Sequence, residues 1–433
     1  MALARTSLRG FLTHAKYHLQ VAQLKRSPVT FVIGNESADL DSIASAITYA
    51  YIATLSPQQH LKPAQIYVPV LNIPRADIAL RPELLALLPR ANIGREHLIT
   101  LDDLGDLSTV QERLVPEATR WVLVDHNVLQ GRLGEVYSGR VVGVIDHHVD
   151  EGRVPVGVEG EGEAGAKGKG EPRVISTCGS CASLVVEHFR RRWDEWFLTV
   201  SWSGAANGQG DNLIEDGAFA SLWDAQVAFL GLAAVLGDTQ GLKDGNKTTE
   251  VDKEAVEYLE TKIRMCLKAG KQYDRKAFFD EVQKAKEDLG GLSLRDVLRK
   301  DYKAWTESGS TLGTCAVVRP FAWLKEKAEQ EGKDLLDGCR SFAKEHQHTV
   351  ICVLTAYTAE DGAFGRQLML AAGSDRGRKI IESFRSEAGD DLQLKEMERG
   401  DEDGWLSFMW QQGNVAASRK QVAPLLRKAM SSV

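Results

Sequence analysis

Val141-Val142-Gly143-Val144-Ile145-Asp146-His147-His148 is the stretch whose reading decides the fold. A short β-rich apolar run ends in a carboxylate and two imidazoles. The same arrangement occurs one run earlier, where Trp121-Val122-Leu123-Val124 leads into Asp125-His126-Asn127. A third apolar run, Thr30 to Ile33, opens onto Gly34-Asn35-Glu36-Ser37-Ala38-Asp39-Leu40-Asp41-Ser42. A fourth cluster, Gly237-Asp238-Thr239, closes the longer apolar run Phe229 to Leu236. Further β-rich runs span Gln65 to Val70, His97 to Leu101 and Arg173 to Ser176, with helix-like segments such as Ser42 to Leu55 and Arg81 to Leu88 between them. Strand alternating with helix predicts an α/β fold with a doubly wound, mostly parallel sheet. Ligands of such sheets bind beyond the carboxyl ends of the strands, which is where the first three clusters fall. Carboxylates and imidazoles converging there suit a pair of divalent cations and phosphoryl chemistry.

The chain has 433 residues and a net charge of -7, enough for two cores and the wrong sign for general affinity to nucleic acid or anionic membrane. Its six cysteines form no regular framework and are expected to be reduced thiols. Cys178-Gly179-Ser180-Cys181 has zinc-knuckle spacing but lacks a second pair, so it reads as a strand-to-helix turn with Ser180 as N-cap. The longest apolar run, Val227 to Leu236, is short for a membrane span. Residues 1–35 contain no acid; the segment reads as a first helix placing Leu8, Phe11, Leu12 and Ala15 on the core, with a mitochondrial presequence as the alternative.

Two stretches lack apolar periodicity and read as disordered insertions, about 157–172 and 203–217. Between Lys247 and Lys286 a charged helical pattern offers Tyr258, Ile263, Cys266 and Leu267 to a core. The predicted division is a domain over 1–260 and a smaller α/β domain over 270–433, the latter ending in Ser418-Arg419-Lys420-Gln421-Val422 and a helical tail.

Taken in order, Asn35 to Ser42, Asp125, Asp146-His147-His148 and Asp238, followed by Ser418 to Val422, the motifs resemble those of the DHH phosphoesterase superfamily in its DHHA2 branch. Within it the chain is most similar to fungal-type exopolyphosphatases, with family II inorganic pyrophosphatases and prune proteins as relatives. The resemblance implies one cation on Asn35, Asp39 and Asp125 and another on Asp41, Asp125, His147 and Asp238, with Asp125 shared. It implies that His148 contacts the phosphate and protonates the leaving oxygen, that Asp146 orients the neighbouring imidazole, and that Ser418, Arg419, Lys420 and Lys303 hold phosphates; Arg366 is a candidate contact farther along a long chain. The run Arg376-Gly377-Arg378-Lys379 is a further candidate track for a long anion. Pyrophosphatases carry a His where this chain has Asn35; an amide oxygen is a harder ligand, favouring Mg²⁺ over Mn²⁺ or Co²⁺. The implied activity is release of terminal phosphate from inorganic polyphosphate. Pyrophosphate, tripolyphosphate and nucleoside polyphosphates are alternative substrates, and a pyrophosphatase or a prune-like phosphodiesterase the alternative activities. Neither nucleic acid nor membrane is an expected partner. The expectation is a cytoplasmic protein, with the mitochondrial matrix as the alternative, and a monomer is favoured.

Overall fold

The structure is a computed structural model that describes residues 6–55, 65–154, 171–206, 213–359 and 361–433. It divides into two compact units, Met1–Lys286 and Glu287–Val433.

The first unit is built on five parallel strands: β1 (Val29–Ile33), β2 (Tyr67–Val70), β3 (Thr119–Val124), β4 (Val141–Asp146) and β5 (Arg173–Ile175), in the order β2-β1-β3-β4-β5. Every residue of β1 and β2 is buried, as strands covered on both faces require. Strand order reverses between β1 and β3, which puts the switch point at Asn35 and Asp125, with Asp146 one strand away. The helix Leu40–Leu55 follows β1 and is buried almost throughout; the helices Cys181–Ala206 and Leu213–Asp238 pack on it. Trp121 stacks on Phe31, with ring centres 4.4 Å apart, and both are fully buried beneath the strand ends that carry the clusters. At the other edge Glu171 accepts hydrogen bonds from the Tyr49 and Tyr67 hydroxyls, 2.7 Å each, and so fixes the start of β5.

The helix Leu8–Lys25, capped by Ser7, buries Leu8, Phe11, Leu12 and Ala15 as expected. Several other expectations need correction. His97 to Leu101 is no strand: it makes a single bridge, Thr100 to Leu71, because the Asp103 carboxylate takes the Thr100 N–H at 2.8 Å and starts a short helix at Leu101. Leu267 is 78% exposed, since the helix Glu250–Met265 ends just before it, whereas Tyr258, Ile263 and Cys266 are buried. The expected domain joint at 260–270 lies inside the first unit, because Phe278 and Val282 of the helix Arg275–Glu287 belong to its core. Of the expected insertions, residues 157–170 and 207–212 lie outside the described residues, while 203–206 and 213–217 are helical. Phe219–Asp238 is long and apolar enough to cross a membrane, longer than the run read from sequence, but most of it is buried in the first unit's core.

The second unit carries β6 (Tyr302–Glu307), β7 (Ser310–Val317), β8 (Val350–Thr355), β9 (Tyr357–Thr358), β10 (Phe364–Ala372), β11 (Leu394–Glu402) and β12 (Trp405–Gln412). The order is β11-β12-β10-β8-β7-β6, with β9 on β10; β7 and β8 run parallel and the other paired strands are antiparallel. Alternation along β8 sends Val350, Cys352 and Leu354 to one face and Ile351 and Val353 to the other. The first face is covered by Asp375–Ala388 and Arg419–Ser431, the second by Leu294–Lys300, Phe321–Gln330 and Leu335–Glu345.

Candidate metal centre

The loop after β1 is shaped by a close approach. A Cβ at Gly34 would lie 2.6 Å from that of Ser42, so only glycine lets the strand pass the start of the helix Leu40–Leu55. Asp39 caps that helix, its Oδ1 accepting the Ser42 N–H at 3.0 Å. Buried Arg81 pins the turn by donating to the carbonyls of Ser37 and of Ala38, whose φ is 42°.

Asp125 follows β3 in a left-handed conformation, φ 61°, with its N–H on the Ile145 carbonyl. A non-glycine residue held there is strained, and such strain concentrates at functional sites. Its Oδ2 accepts from Ser42 Oγ at 2.6 Å and from Asn35 Nδ2 at 2.8 Å. Its Oδ1 lies 3.1 Å from His147 Nε2 and 3.7 Å from His148 Nδ1. One carboxylate oxygen is therefore held in place while the other faces the imidazoles.

Asp41 is buried against the start of the helix Cys181–Ala206. Its Oδ1 accepts from Ser180 Oγ and Ala182 N, both at 2.8 Å, and its Oδ2 from Cys181 N at 2.7 Å. A helix N-terminus is a natural seat for a carboxylate. Ser180 stands at the N-cap position, but its hydroxyl serves Asp41 rather than the helix. Asp41 Oδ2 also lies 3.9 Å from His147 Nε2. His147 Nδ1 points at the Cys178 carbonyl, 3.1 Å away, which makes Nδ1 the donor and leaves Nε2 toward Asp125 and Asp41. Fully buried Asp146 accepts through Oδ1 from the His147 N–H, the His148 N–H and His148 Nδ1, the last at 2.8 Å. Asn127 completes it, donating to Asp146 Oδ2 at 2.6 Å and to the Val149 carbonyl at 2.9 Å.

The electrostatics of the centre are set by burial and by the charges gathered there. Burial, then the Asp125 carboxylate, push Asp41 up to about 6. Burial, then Asp41 and Asp39, push Asp238 up to about 7, against the pull of Lys286 and His147. Burial opposes a charge on His147, but its bonds to Asp125 and the Cys178 carbonyl, with the charges of Asp41 and Asp125, outweigh it and raise His147 to about 11. Asp146 goes the other way: burial raises it, yet the hydrogen bond and charge of His148 and the bond from Asn127 bring it down to about 2. Carboxylates gathered around one imidazole call for positive charge. The donor atoms fit a divalent cation, since single ligand atoms of Asp125, His147 and His148 lie within 4.8 Å of one another.

The first unit thus joins Asn35, Asp41, Asp125, Asp146, His147 and His148 by direct contacts, and Asp39 and Asp238 by their electrostatic effect on the group. Asn35 offers its amide nitrogen to Asp125 and commits its oxygen to the Ser37 N–H at 2.9 Å, so a ligand oxygen here requires the amide to turn over. In the second unit, Ser418 caps the helix Arg419–Ser431. Arg419 is gripped by Asp301, with contacts of 2.9 Å to its carbonyl and 2.8 Å to its carboxylate, at the entry to the strand that carries Lys303. Arg366 on β10 donates to the Val415 carbonyl at 2.7 Å, three residues before Ser418. Lys420 begins the same helix and is exposed. Of the basic run, Arg378 is ion-paired with Asp401 and Arg376 donates to the Ser308 carbonyl. Sequence reasoning gave no role to Ser42, Asn127, Arg81 or Asp301. The Cys178 carbonyl and the Cys181 and Ala182 N–H groups leave no side-chain signal to find.

Family models match in two places: the N-terminal domain of the DHH family at residues 29–199 and the DHHA2 domain at residues 280–429. A Schizosaccharomyces pombe protein named "Putative exopolyphosphatase" is 34% identical, spanning 98% of this chain and 99% of its own. The Mus musculus protein named "Exopolyphosphatase PRUNE1" is 26% identical, over 94% of this chain and 76% of its own. A solved structure of a Methanococcus jannaschii "putative family II inorganic pyrophosphatase" is 19% identical with a TM-score of 0.55, covering 93% of this chain and 99% of its own; that likeness concerns the fold.

The shifts have a testable sign. Asp41 and Asp238 bind protons more tightly folded than unfolded, so their contribution to stability falls as pH rises from about 4 to 7. The stabilisation from His147 is full below its unfolded value of 6.5 and is lost toward 11. A divalent cation relieves the first loss and competes with the imidazole proton. Melting the EDTA-stripped protein with and without Mn²⁺ should therefore show a larger cation-induced rise in Tm at pH 7.5 than at pH 5. An equal or smaller rise at pH 7.5 contradicts this electrostatic reading.

Proposed function

The chain belongs to the DHH family and carries a C-terminal DHHA2 domain, and from that premise we propose that it is an exopolyphosphatase, hydrolysing the terminal phosphate of inorganic polyphosphate to orthophosphate. The observation that carries the hydrolytic reading is the convergence of Asp125, His147 and His148 within 4.8 Å, backed by Asp41 and Asp146. The substrate reading is supported by the near end-to-end likeness to a relative named "Putative exopolyphosphatase", and by Asn35 standing where the family resemblance puts a His in the pyrophosphatases.

Asp125 through Oδ1, His147 through Nε2 and Asp41 through Oδ2 are the atoms assigned to a cation, with the carboxylates of Asp238 and Asp39, and the Asn35 amide once turned over, completing the shell. Two divalent cations, Mg²⁺ first and Mn²⁺ or Co²⁺ as alternatives, would supply charge neutralisation and an acidified attacking water. The protein's own steps surround that chemistry. Asp146 is fully ionised near neutral pH and holds His148 by its Nδ1–H, which directs Nε2 to the phosphate. The proton on that Nε2 passes to the leaving oxygen as the phosphoanhydride bond breaks. Arg419, set by Asp301, joins Lys420, Lys303, Arg366 and the Ser418 hydroxyl as the phosphate ligands. Charge-assisted contacts of this kind balance the anion that leaves.

A pyrophosphatase would use the same centre, so the decisive assay is orthophosphate release from long-chain polyphosphate, tripolyphosphate and pyrophosphate in parallel with Mg²⁺. Rapid release from long chains with little from pyrophosphate is expected; fast pyrophosphate hydrolysis with inert long chains would assign the activity to the pyrophosphatases instead. Arg419→Ala or Lys420→Ala should raise KM for polyphosphate about 10- to 100-fold, the worth of a lost charge-assisted hydrogen bond, with cation affinity unchanged. A fall in cation affinity would refute the phosphate role.

A further inference from the structure

We propose that Asp252 is a positioning residue for the metal centre, acting on Asp41 and His147 through the turn Gly179-Ser180. It lies outside both segments matched by the family models. The inference rests on the reading that Asp41 and His147 hold a cation.

Asp252 is fully buried in the first turn of the helix Glu250–Met265. An acid there ordinarily completes a capping box, and Asp252 does so: its Oδ2 accepts from Thr249 N and Thr249 Oγ1, both at 2.8 Å. Capping explains these two bonds and no more. Three further donors come from about seventy residues earlier in the chain. Gly179 N reaches Oδ2 at 2.8 Å, Ser180 N reaches Oδ1 at 3.2 Å and Ser183 Oγ reaches Oδ1 at 2.7 Å. A carboxylate taking five hydrogen bonds can be buried; an amide or methyl in its place leaves donors facing donors or facing nothing.

The turn so held, with the residues on either side of it, delivers four groups to the centre. The Cys178 carbonyl fixes His147 Nδ1, and with it the tautomer that turns Nε2 toward Asp125. Ser180 Oγ and the Cys181 and Ala182 N–H groups hold Asp41. The same turn presses on the residue after Asp238: a Cβ on Gly179 would come within 2.6 Å of Thr239 Cγ2 and 2.9 Å of Asp252 Oδ2. One carboxylate thus sets the orientation of two assigned ligands and abuts the neighbour of a third. Groups that orient ligands from behind typically alter metal affinity about 10- to 100-fold when lost.

The test compares Asp252→Asn with Glu260→Gln in the full chain. Glu260 lies in the same helix, is buried and is held by Tyr273 and Arg275, with no bond to the turn. Mn²⁺ affinity is read by calorimetry, the geometry of the loaded site by Co²⁺ visible absorption, and stability by Tm. Asp252→Asn should lose about 10- to 100-fold in Mn²⁺ affinity and change the Co²⁺ spectrum. Glu260→Gln should lower Tm while keeping the parent's affinity and spectrum. Gly179→Ala reaches the same turn with the Asp252 carboxylate retained and should reproduce the loss, which covers the case in which Asp252→Asn does not fold. Parent-like affinity and spectrum in a folded Asp252→Asn or in Gly179→Ala overturn the inference, as does a loss that tracks Tm equally in Glu260→Gln. A parent protein that binds neither ion overturns the metal reading itself, and this inference with it.

Discussion

Like-charge repulsion among buried carboxylates is the constraint on which the rest of the structure depends. Asp41, Asp125 and Asp146 are buried near the carboxyl ends of a parallel sheet, with half-buried Asp238 close enough for Asp41 to repel it, and burial penalises each negative charge. The first unit answers with donors. Ser42 and Asn35 hold one oxygen of Asp125, a helix N-terminus holds Asp41, and three groups from the Asp146-His147-His148 turn hold Asp146. Asp125 Oδ1 and Asp41 Oδ2, the latter already holding the Cys181 N–H, both face His147 Nε2, at 3.1 and 3.9 Å. A surplus of negative charge aimed at one point by otherwise satisfied groups is what separates a cation site from a chance acidic cluster.

Much of this was legible in the sequence, for a physical reason. A buried parallel strand is mostly apolar, so an acid at its end marks both the strand's end and the site; β3 with Asp125 and β4 with Asp146 show it, while β1 opens onto a loop that brings Asp39 and Asp41 in six and eight residues later. The same reasoning failed where a local polar contact intervened. His97 to Leu101 is apolar enough for a strand, but Asp103 draws the backbone into a helical turn. Composition reads 203–217 as an insertion, yet residues 203–206 and 213–217 continue the helices Cys181–Ala206 and Leu213–Asp238, because composition says little about how far a helix extends. Support from behind the ligands was the least legible. Backbone groups such as the Cys178 carbonyl have no sequence signature, and Asp252 looks like any capping acid until its three distant donors are seen.

The two units divide the chemistry by charge. The first concentrates carboxylates and imidazoles. The second places Arg419, Lys420, Lys303 and Arg366 around the start of one helix and the strands beside it, with Asp301 as the counter-charge that orders Arg419. Arginine in a fixed fork suits phosphate by geometry as well as charge, so in the proposed phosphate role an aspartate that orders Arg419 would aid recognition even while offsetting part of its charge.

The most direct test of the central claim is a crystal structure of the full chain grown with Mn²⁺, with the ion located by its anomalous scattering. A peak bonded to Asp125 Oδ1, His147 Nε2 and Asp41 Oδ2 is expected. A Mn²⁺-loaded crystal whose peaks lie away from these three atoms would contradict it.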